Sequence, residues 1–189
     1  VDFPRKGPVL VNLNNLYKVS PQVFALWVRV LRRLSQATLT VLALPEDARP
    51  YLQQSLSSAL GGHLRLRFIE YLPRKDHLAR AALATVFLDT LLVNAHTTAM
   101  DVLWAGLPLV TTPDTRFASR VASSILLAAK CGETIARTHD DYVNLAVQLA
   151  DTSSSSSSCS SASRKVRQCL SEARSSVTHT KRKDIGTHA

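Results

Sequence analysis

Four polar residues stand where a helix is expected to begin: His96, Thr97, Thr98 and Asp101. Asp101 follows Thr98 at the three-residue spacing of a capping box, and the residues after it favour a short helix over 97–105 that ends at Gly106. The start of a helix has unpaired N–H groups and the positive end of the helix dipole, so it binds phosphate readily. Hydroxyl and imidazole groups add donors, and a carboxylate can accept from sugar hydroxyls. From these residues alone, the alternative is a capped helix with no ligand, in which His96 is structural.

Basic side chains occur in two other stretches that precede helices. Lys18 follows a β-rich run, and a cation at that point can neutralise a phosphate group. Arg74, His77 and Arg80 lie near one predicted helix start, where spacings of three and four residues bring them to one face. Such a face can hold an anionic or aromatic ligand. The alternatives are a solvated charge for Lys18 and a charged surface patch for the other three.

Alternating strands and helices must position these residues. Five β-rich stretches cover residues 8–14, 38–43, 64–69, 85–89 and 109–112. Helical apolar spacing covers residues 21–34, 51–60, 74–83, 97–105, 117–129 and 139–150. Repeated strand–helix order predicts an α/β fold, a Rossmann-like parallel sheet with helices on both faces.

Ligands of such folds bind at the carboxyl ends of the strands. Three polar loops fall there, at residues 14–18, 71–77 and 89–98, and we expect them to converge on one crevice. The chain contains no GxGxxG and no Walker A pattern, so the common dinucleotide fingerprint and a P-loop ATPase are not supported.

Composition limits the class of protein further. The 189 residues are 46% hydrophobic and 20% charged, as in an ordinary globular domain, and contain no apolar run long enough to cross a membrane. The first residues lack the pattern of a signal peptide. The three cysteines, Cys131, Cys159 and Cys169, are odd in number and form no CxxC pair. They indicate a reducing compartment, with neither a disulfide framework nor a zinc site.

The chain divides into three parts by composition. Residues 1–151 form the predicted ligand-binding domain, and residues 152–163 form a serine-rich insertion that we expect to be disordered. Residues 164–189 form a basic segment, expected to be a short helix followed by a tail. This segment has seven basic and two acidic residues, so it supplies +5 of the net charge of +9. A solvated tail explains that charge better than a nucleic-acid site, so we expect no nucleic acid as a partner.

Several blocks in the same order resemble one enzyme family. NNLYKVSP (14–21), PRKDHLAR (73–80), LDTLLVNAHTTAMDVLWAGLPLVTTP (88–113) and FASRVASS (117–124) are similar to the C-terminal catalytic lobe of protein O-linked N-acetylglucosamine (O-GlcNAc) transferases. These are GT-B glycosyltransferases with two Rossmann-like lobes, preceded by tetratricopeptide (TPR) repeats. The resemblance covers about residues 8–150, and the block from 88 to 113 is its strongest part.

The resemblance implies that the chain binds the donor UDP-N-acetylglucosamine, without a metal or other cofactor. It assigns the diphosphate and leaving-group stabilisation to Lys18, a phosphate contact to Asn15, and the phosphates and sugar to the helix start. It assigns the ribose to Asp101 with Arg74 nearby. The implied donor-binding residues are Asn15, Lys18, Arg74, His77, Arg80, His96, Thr97, Thr98 and Asp101. Of these, His77 and Arg80 are expected to hold the uracil, and Lys18 is the expected catalytic residue.

The implied activity is transfer of N-acetylglucosamine to serine and threonine hydroxyls of proteins in the cytoplasm and nucleus. The resemblance implies that acceptor proteins bind through an N-terminal lobe and repeats outside these 189 residues, so we expect the isolated chain to bind UDP weakly and to catalyse little. Asn15 and Arg74 depart from the glutamine and lysine of the animal enzymes. Two alternatives stay open: a Spindly-type protein O-fucosyltransferase that uses GDP-fucose, and a non-catalytic sugar-nucleotide-binding module.

Overall fold

Five parallel strands form one sheet in the computed structural model, in the order β3-β2-β1-β4-β5. Their bounds are Val9–Asn12 (β1), Thr38–Leu42 (β2), Leu66–Ile69 (β3), Val86–Leu88 (β4) and Leu109–Val110 (β5). The structure describes residues 3–4, 6–63, 65–151, 168–169, 171–172 and 175. The central strands are buried along their whole length, as expected for parallel strands covered on both faces.

In the part of the chain up to residue 151 that the structure describes, six helices pack around the sheet. Their bounds are Pro21–Arg33 (α1), Ala48–Ala59 (α2), Arg74–Ala81 (α3), Thr97–Trp104 (α4), Val121–Ala128 (α5) and His139–Ala150 (α6). Right-handed crossovers put α1 and α2 on one face and α3 and α4 on the other, because the chain runs outward from β1 in one direction and returns through β4 in the other. Helix α6 packs on α1, and α5 packs on α4. The predicted α/β class, Rossmann-like with a parallel sheet, is confirmed.

Helix α1 illustrates how the local sequence determines an element. Ser20 is its N-cap, and the Ser20 hydroxyl accepts a hydrogen bond from the N–H of Val23 at 3.3 Å. Pro21 occupies the first helical position, where a missing N–H costs nothing. The apolar side of the helix is buried around Trp27, whose Nε1 donates to the hydroxyl of Tyr142 on α6 at 3.3 Å. The first helix is therefore fixed to the last one across the buried face of the sheet.

The helix predicted over 117–129 is broken in the structure. A 3-10 turn covers Phe117–Ser119, and α5 begins only at Val121. The carbonyl of Ala118, in that turn, accepts from the N–H of Asn94 at 2.9 Å. The side chain of Asn94 in turn accepts from the N–H of Ala122 at 3.3 Å, in the first turn of α5. Contacts with a loop more than twenty residues away thus determine where α5 starts.

The expectation that the cysteines form no disulfide is wrong. Cys131, just after α5, is bonded to Cys169 in the C-terminal segment, and their Cα atoms are 5.9 Å apart. Count and spacing did not indicate this pairing, because residues 38 positions apart meet only when the fold returns one segment to the other. The described residues of that segment, 168–169, 171–172 and 175, have helical backbone. The serine-rich insertion and most of the basic segment lie outside the described residues.

None of the helices among the described residues is both long enough and apolar enough to span a membrane.

Candidate functional site

The loop after β1 places a cation at the carboxyl edge of the sheet. A 3-10 turn covers Leu16–Lys18. Buried Leu16 anchors this turn, because its N–H donates a hydrogen bond to the carbonyl of Leu44 at 2.9 Å. Half-buried Lys18 extends from this turn, and its Nζ donates to the carbonyl oxygen of Asn94 at 3.2 Å. The loops after β1 and β4 therefore meet, as predicted, and the ammonium group of Lys18 lies beside Asn94, three residues before the first residue of α4.

The start of α4 has the features of an anion site. His96 is its N-cap, and the His96 side chain makes no capping hydrogen bond to the first turn, which includes Thr97 and Thr98. The His96 ring is held by an edge-on contact with Phe117, with centroids 6.5 Å apart, and its Nε2 lies 3.1 Å from the carbonyl oxygen of Ala118. A carbonyl only accepts, so Nε2 is the donor in this contact.

A pair of opposite charges links α3 to α4. Both Nε and Nη2 of Arg74 donate to Oδ1 of Asp101, at 3.2 and 2.9 Å. The predicted capping box of Thr98 and Asp101 is therefore wrong, for two reasons. The N-cap of the helix is His96, two residues before Thr98, and the guanidinium of Arg74 binds the Asp101 carboxylate instead. The second oxygen of Asp101 is the natural acceptor for a hydroxyl of a ligand at this edge.

His77 and Arg80 lie on the same face of α3, as their spacing predicts. Burial lowers the pKa of His77, the positive charge of Arg80 lowers it further, and Asp101 opposes both effects. The imidazole is thus neutral near pH 7, and its Nδ1 is buried without a partner among the described residues. Arg80 is buried, and its Nη1 donates to the carbonyl oxygen of Glu70 at 2.9 Å, just after β3. The third loop is therefore tied to the helix that carries His77.

Asn15 lies at the outer rim of the site. Its side chain is exposed, and its backbone carbonyl accepts from the N–H of Lys18 at 3.1 Å. Aromatic side chains that follow β1, β3 and β5 are also exposed at this edge, with fractional exposures of 72% for Tyr17, 71% for Tyr71 and 77% for Phe117. An edge with this much exposed aromatic surface is open on one side.

Sequence reasoning missed a network of buried polar side chains beneath these loops. Asn12 at the end of β1 donates through Nδ2 to the carbonyl of Leu88 at 2.6 Å, and its Oδ1 accepts from the N–H of Asn14 at 3.1 Å. Asp89, which follows β4, is fully buried with them. The available signal was the appearance of Asn and Asp directly after otherwise apolar strands. It indicates that polar side chains, in addition to the sheet itself, hold the two central loops together.

One groove of the described chain lies beside α1 and α2 and not at this site. It has a volume of about 380 Å³ and is lined mainly by apolar side chains of α1, α2 and the turn before α1, among them Phe24 and Leu52. The charged residues described above lie elsewhere, on the open carboxyl edge. Charge and free hydrogen-bonding groups therefore locate the site better than concavity does. Among the described residues, no group of three or more His, Cys, Asp or Glu side chains is arranged to hold a metal ion.

The arrangement suits an elongated ligand with an anionic end and a polar ring at the other end. Lys18 and the start of α4 supply positive potential for phosphate groups. Asp101 on α4 supplies an acceptor, and the neutral His77 on the neighbouring helix α3 supplies an imidazole. A nucleoside diphosphate has these features in this order.

Comparison with known proteins identifies similar chains. A family model described as glycosyl transferase family 41 matches residues 1–182. The UDP-N-acetylglucosamine–peptide N-acetylglucosaminyltransferase of Caenorhabditis elegans is 36% identical over 147 residues, which are 78% of this chain and 13% of that protein. A probable enzyme of the same description from Eustoma exaltatum subsp. russellianum, named SPINDLY, is 33% identical over 143 residues, 74% of this chain and 16% of that protein.

A solved structure gives the same result. A mutant of the O-GlcNAc transferase of Thermobaculum terrenum superposes with a TM-score of 0.77 and 31% sequence identity, covering 90% of this chain and 32% of that one. The chain thus spans about a third of that structure and less than a fifth of the two relatives named above.

Proposed function

The chain belongs to glycosyl transferase family 41, and we propose that it forms the donor-binding part of an enzyme that transfers N-acetylglucosamine from UDP-N-acetylglucosamine to serine and threonine hydroxyls of proteins. The observation that carries the proposal is the position of Lys18, whose Nζ lies 3.2 Å from the carbonyl of Asn94 beside the start of α4. Relatives named for this reaction support the choice of donor and acceptor class.

The reaction makes specific demands on this edge of the sheet. An acceptor hydroxyl oxygen bonds to the anomeric carbon, and the bond from that carbon to the phosphate oxygen breaks. UDP leaves with the electron pair, and the proton of the hydroxyl passes to water. Negative charge therefore develops on the departing diphosphate. Lys18 and the N–H groups of Thr97 and Thr98 are positioned to stabilise that charge without first reorganising water. We assign leaving-group stabilisation to Lys18.

The remaining residues fit the rest of the donor in this proposal. Asp101, oriented by Arg74, accepts from the ribose hydroxyls. His77 and Arg80 hold the uracil, and the neutral state of His77 suits a hydrogen bond to an uncharged base. His96 contributes at the phosphates or the sugar. Asn15 contacts a phosphate from the rim of the site, where its exposed side chain is free to move toward the ligand.

Acceptor proteins and cellular location follow from the same proposal. The open aromatic edge at Tyr17, Tyr71 and Phe117 is the side from which an acceptor-binding region outside this chain would complete the site. We propose action in the cytoplasm and nucleus, as the family resemblance implies. The disulfide between Cys131 and Cys169 is unusual for a reducing compartment. Thiol trapping in cells before lysis tests the location, because cytoplasmic protein should carry both cysteines reduced.

A second candidate function is protein O-fucosylation from GDP-fucose, as in Spindly-type enzymes. The family resemblance leaves this alternative open, although the relative named SPINDLY, 33% identical over 143 residues, is described as a probable N-acetylglucosaminyltransferase. The two functions differ in the nucleotide, so they differ in the hydrogen bonds that His77 and Arg80 would make to the base. A non-catalytic sugar-nucleotide-binding module is the third reading. It would keep the phosphate site and lack turnover.

A chimaera tests the proposed activity. This chain would replace the matching part of the Thermobaculum terrenum enzyme, and sugar transfer to a serine-containing peptide would be followed by mass spectrometry. We expect an N-acetylhexosamine adduct from UDP-N-acetylglucosamine and none from the Lys18→Ala chimaera. A deoxyhexose adduct from GDP-fucose would favour the second candidate. Donor binding without transfer by a folded chimaera would favour the non-catalytic binding module. In a separate assay of the isolated 189 residues, substantial turnover would refute our expectation that the chain alone catalyses little.

A further inference from the structure

Asp89 follows β4 directly and is 1% exposed, yet the proposed function gives it no contact with the donor. Its carboxylate accepts three short hydrogen bonds, from the N–H groups of Thr90 and Ala95 to Oδ1 and from Oγ1 of Thr111 to Oδ2, each at 2.8 Å. A buried carboxylate is tolerated only where donors replace the water that it lost. The donors here belong to the loop after β4 and to the end of β5, so Asp89 ties two loops of the site together.

The bond from Ala95 closes the loop after β4 on itself, because donor and acceptor are six residues apart. The two residues that flank Ala95 are both part of the candidate site. The carbonyl of Asn94 accepts the ammonium of Lys18 at 3.2 Å, and His96 is the N-cap of α4. Fixing Ala95 therefore fixes the partner of the cation and the first residue of the anion-binding helix.

The backbone of Asp89 is held as firmly as its side chain. Its carbonyl accepts from the hydroxyl of Tyr142 on α6 at 2.8 Å, and that hydroxyl accepts from Nε1 of Trp27 on α1. Asp89 thus connects the loop to the two helices that pack beneath it. Because the carboxylate and the backbone carbonyl of Asp89 are both held by hydrogen bonds, the residue has little freedom to move. The conformation of the loop is therefore set by the position of Asp89.

We propose that Asp89 is the positioning residue of the donor site: its carboxylate holds the loop from 89 to 96 in the shape that presents Asn94 to Lys18 and His96 to the start of α4. The inference rests on the proposed function for the ligand, a nucleoside diphosphate. The required property is hydrogen-bond acceptance rather than charge. An asparagine satisfies the same contacts, since Oδ1 accepts from both N–H groups and Nδ2 donates to Oγ1 of Thr111.

Two substitutions in the 189-residue chain separate positioning from general stability. With UDP as the titrant in calorimetry, we expect Asp89→Ala to raise the Kd at least tenfold and Asp89→Asn to change it less than threefold. In hydrogen exchange followed by NMR without ligand, the N–H of Ala95 should exchange at least tenfold faster in the alanine variant. It should stay protected in the asparagine variant. A residue that only filled space in the core would show no such selective change at Ala95.

A second variant keeps the proposal testable if Asp89→Ala does not fold. Thr111→Val removes one donor to the carboxylate without touching the loop itself, and we expect a three- to tenfold rise in the Kd for UDP. Thr40→Val is the matched control, since it makes the same chemical change at a buried threonine on β2. Its Kd should stay within twofold of the original.

The outcomes separate this inference from the proposed function. Unchanged UDP affinity in folded Asp89→Ala and in Thr111→Val would overturn it, and so would an equal loss in Asp89→Ala and Asp89→Asn, because charge would then be the required property. If the unsubstituted chain bound no UDP, the proposed donor would be rejected. The claim that Asp89 positions a donor site would then be rejected as well. Exchange at Ala95 would then show only whether Asp89 holds the loop.

Discussion

Lys18 and Asn94 meet across the two central loops of the sheet, with Nζ of Lys18 donating to the carbonyl oxygen of Asn94 at 3.2 Å. Because β1 and β4 are adjacent, residues 76 positions apart in the chain become neighbours at the carboxyl edge. The acceptor is a neutral carbonyl, so the bond orients the ammonium group without neutralising it. The charge remains available for a phosphate beside the start of α4.

Replacing Lys18 by alanine should weaken UDP binding by about 10- to 100-fold. The estimate corresponds to about 1.5–3 kcal/mol for one charge-assisted hydrogen bond. Calorimetric titration of the 189-residue chain measures it. Lys6→Ala is the matched control, since Lys6 precedes β1 at the opposite edge of the sheet and should leave the Kd within twofold. Equal effects of the two substitutions would show that only net charge matters.

Asp101→Asn should distinguish the two ends of the ligand. If Asp101 accepts from ribose hydroxyls, the variant binds UDP several-fold more weakly but binds pyrophosphate as the original chain does. Lys18→Ala, in contrast, should weaken both ligands. Competition of each ligand with a fluorescent UDP analogue provides the comparison. A loss of pyrophosphate binding in Asp101→Asn would move the carboxylate's role from the ribose to the architecture of the phosphate site.

The buried carboxyl group of Asp89 should make stability depend on pH. Burial raises the pKa of Asp89 from 3.8 to about 6, although the bonds from Thr111, Ala95 and Thr90 and the charge of Lys18 oppose the rise. The folded state therefore keeps its proton to higher pH than the unfolded state, and this contribution to stability is lost as pH rises from about 4 to about 6. The loss is at most about 3 kcal/mol.

Asp89→Asn tests this dependence because it cannot titrate. Relative to this variant, the free energy of unfolding of the original chain should fall by about 2 kcal/mol between pH 4 and pH 7, as measured by urea unfolding. Asp140→Asn, which changes an exposed carboxyl on α6, is the control. Between pH 4 and pH 7, its free energy of unfolding relative to the original chain should change by less than about 1 kcal/mol. A flat difference between the original chain and Asp89→Asn would contradict the raised pKa.

The disulfide between Cys131 and Cys169 should stabilise the fold. It closes a loop with a sequence separation of 38, and the chain-entropy model gives about 4 kcal/mol for a loop of that size. Reduction with dithiothreitol, or Cys169→Ser, should lower the free energy of unfolding by roughly that amount. Cys159→Ser serves as the control and should have no effect. A non-reducing digest that linked Cys159 to either partner would contradict the pairing.

The sequence predicted the fold well where local signals were strong. Ser20 with Pro21 marked the start of α1, and the pattern from His139 gave α6 with its true bounds. It failed where partners were distant. The Thr–Asp spacing at Thr98 and Asp101 also occurs at Thr138 and Asp141, but only the second pair forms a capping box. Arg74, 27 residues away, binds the carboxylate of Asp101 instead. Rules based on spacing within one helix do not account for such a distant partner.

The candidate site divides in the same way. The positions of Lys18 and His96 followed from the alternation of strands and helices, because parallel strands bring their carboxyl ends to one edge. The roles of Asn14 and Asp89 did not follow, since a polar residue after a strand reads as an ordinary turn until its partners on other strands are known. Chemistry at the surface of the site was therefore predictable, and the buried support beneath it was not.

Titration of the 189-residue chain with UDP and with GDP tests the central claim most directly. The account predicts binding of both through the shared diphosphate, tighter binding of UDP, and loss of affinity for both in Lys18→Ala. Tighter binding of GDP would contradict the assignment of the donor and favour the fucosyltransferase. Absence of binding by a chain that circular dichroism shows to be folded would contradict the proposed site itself.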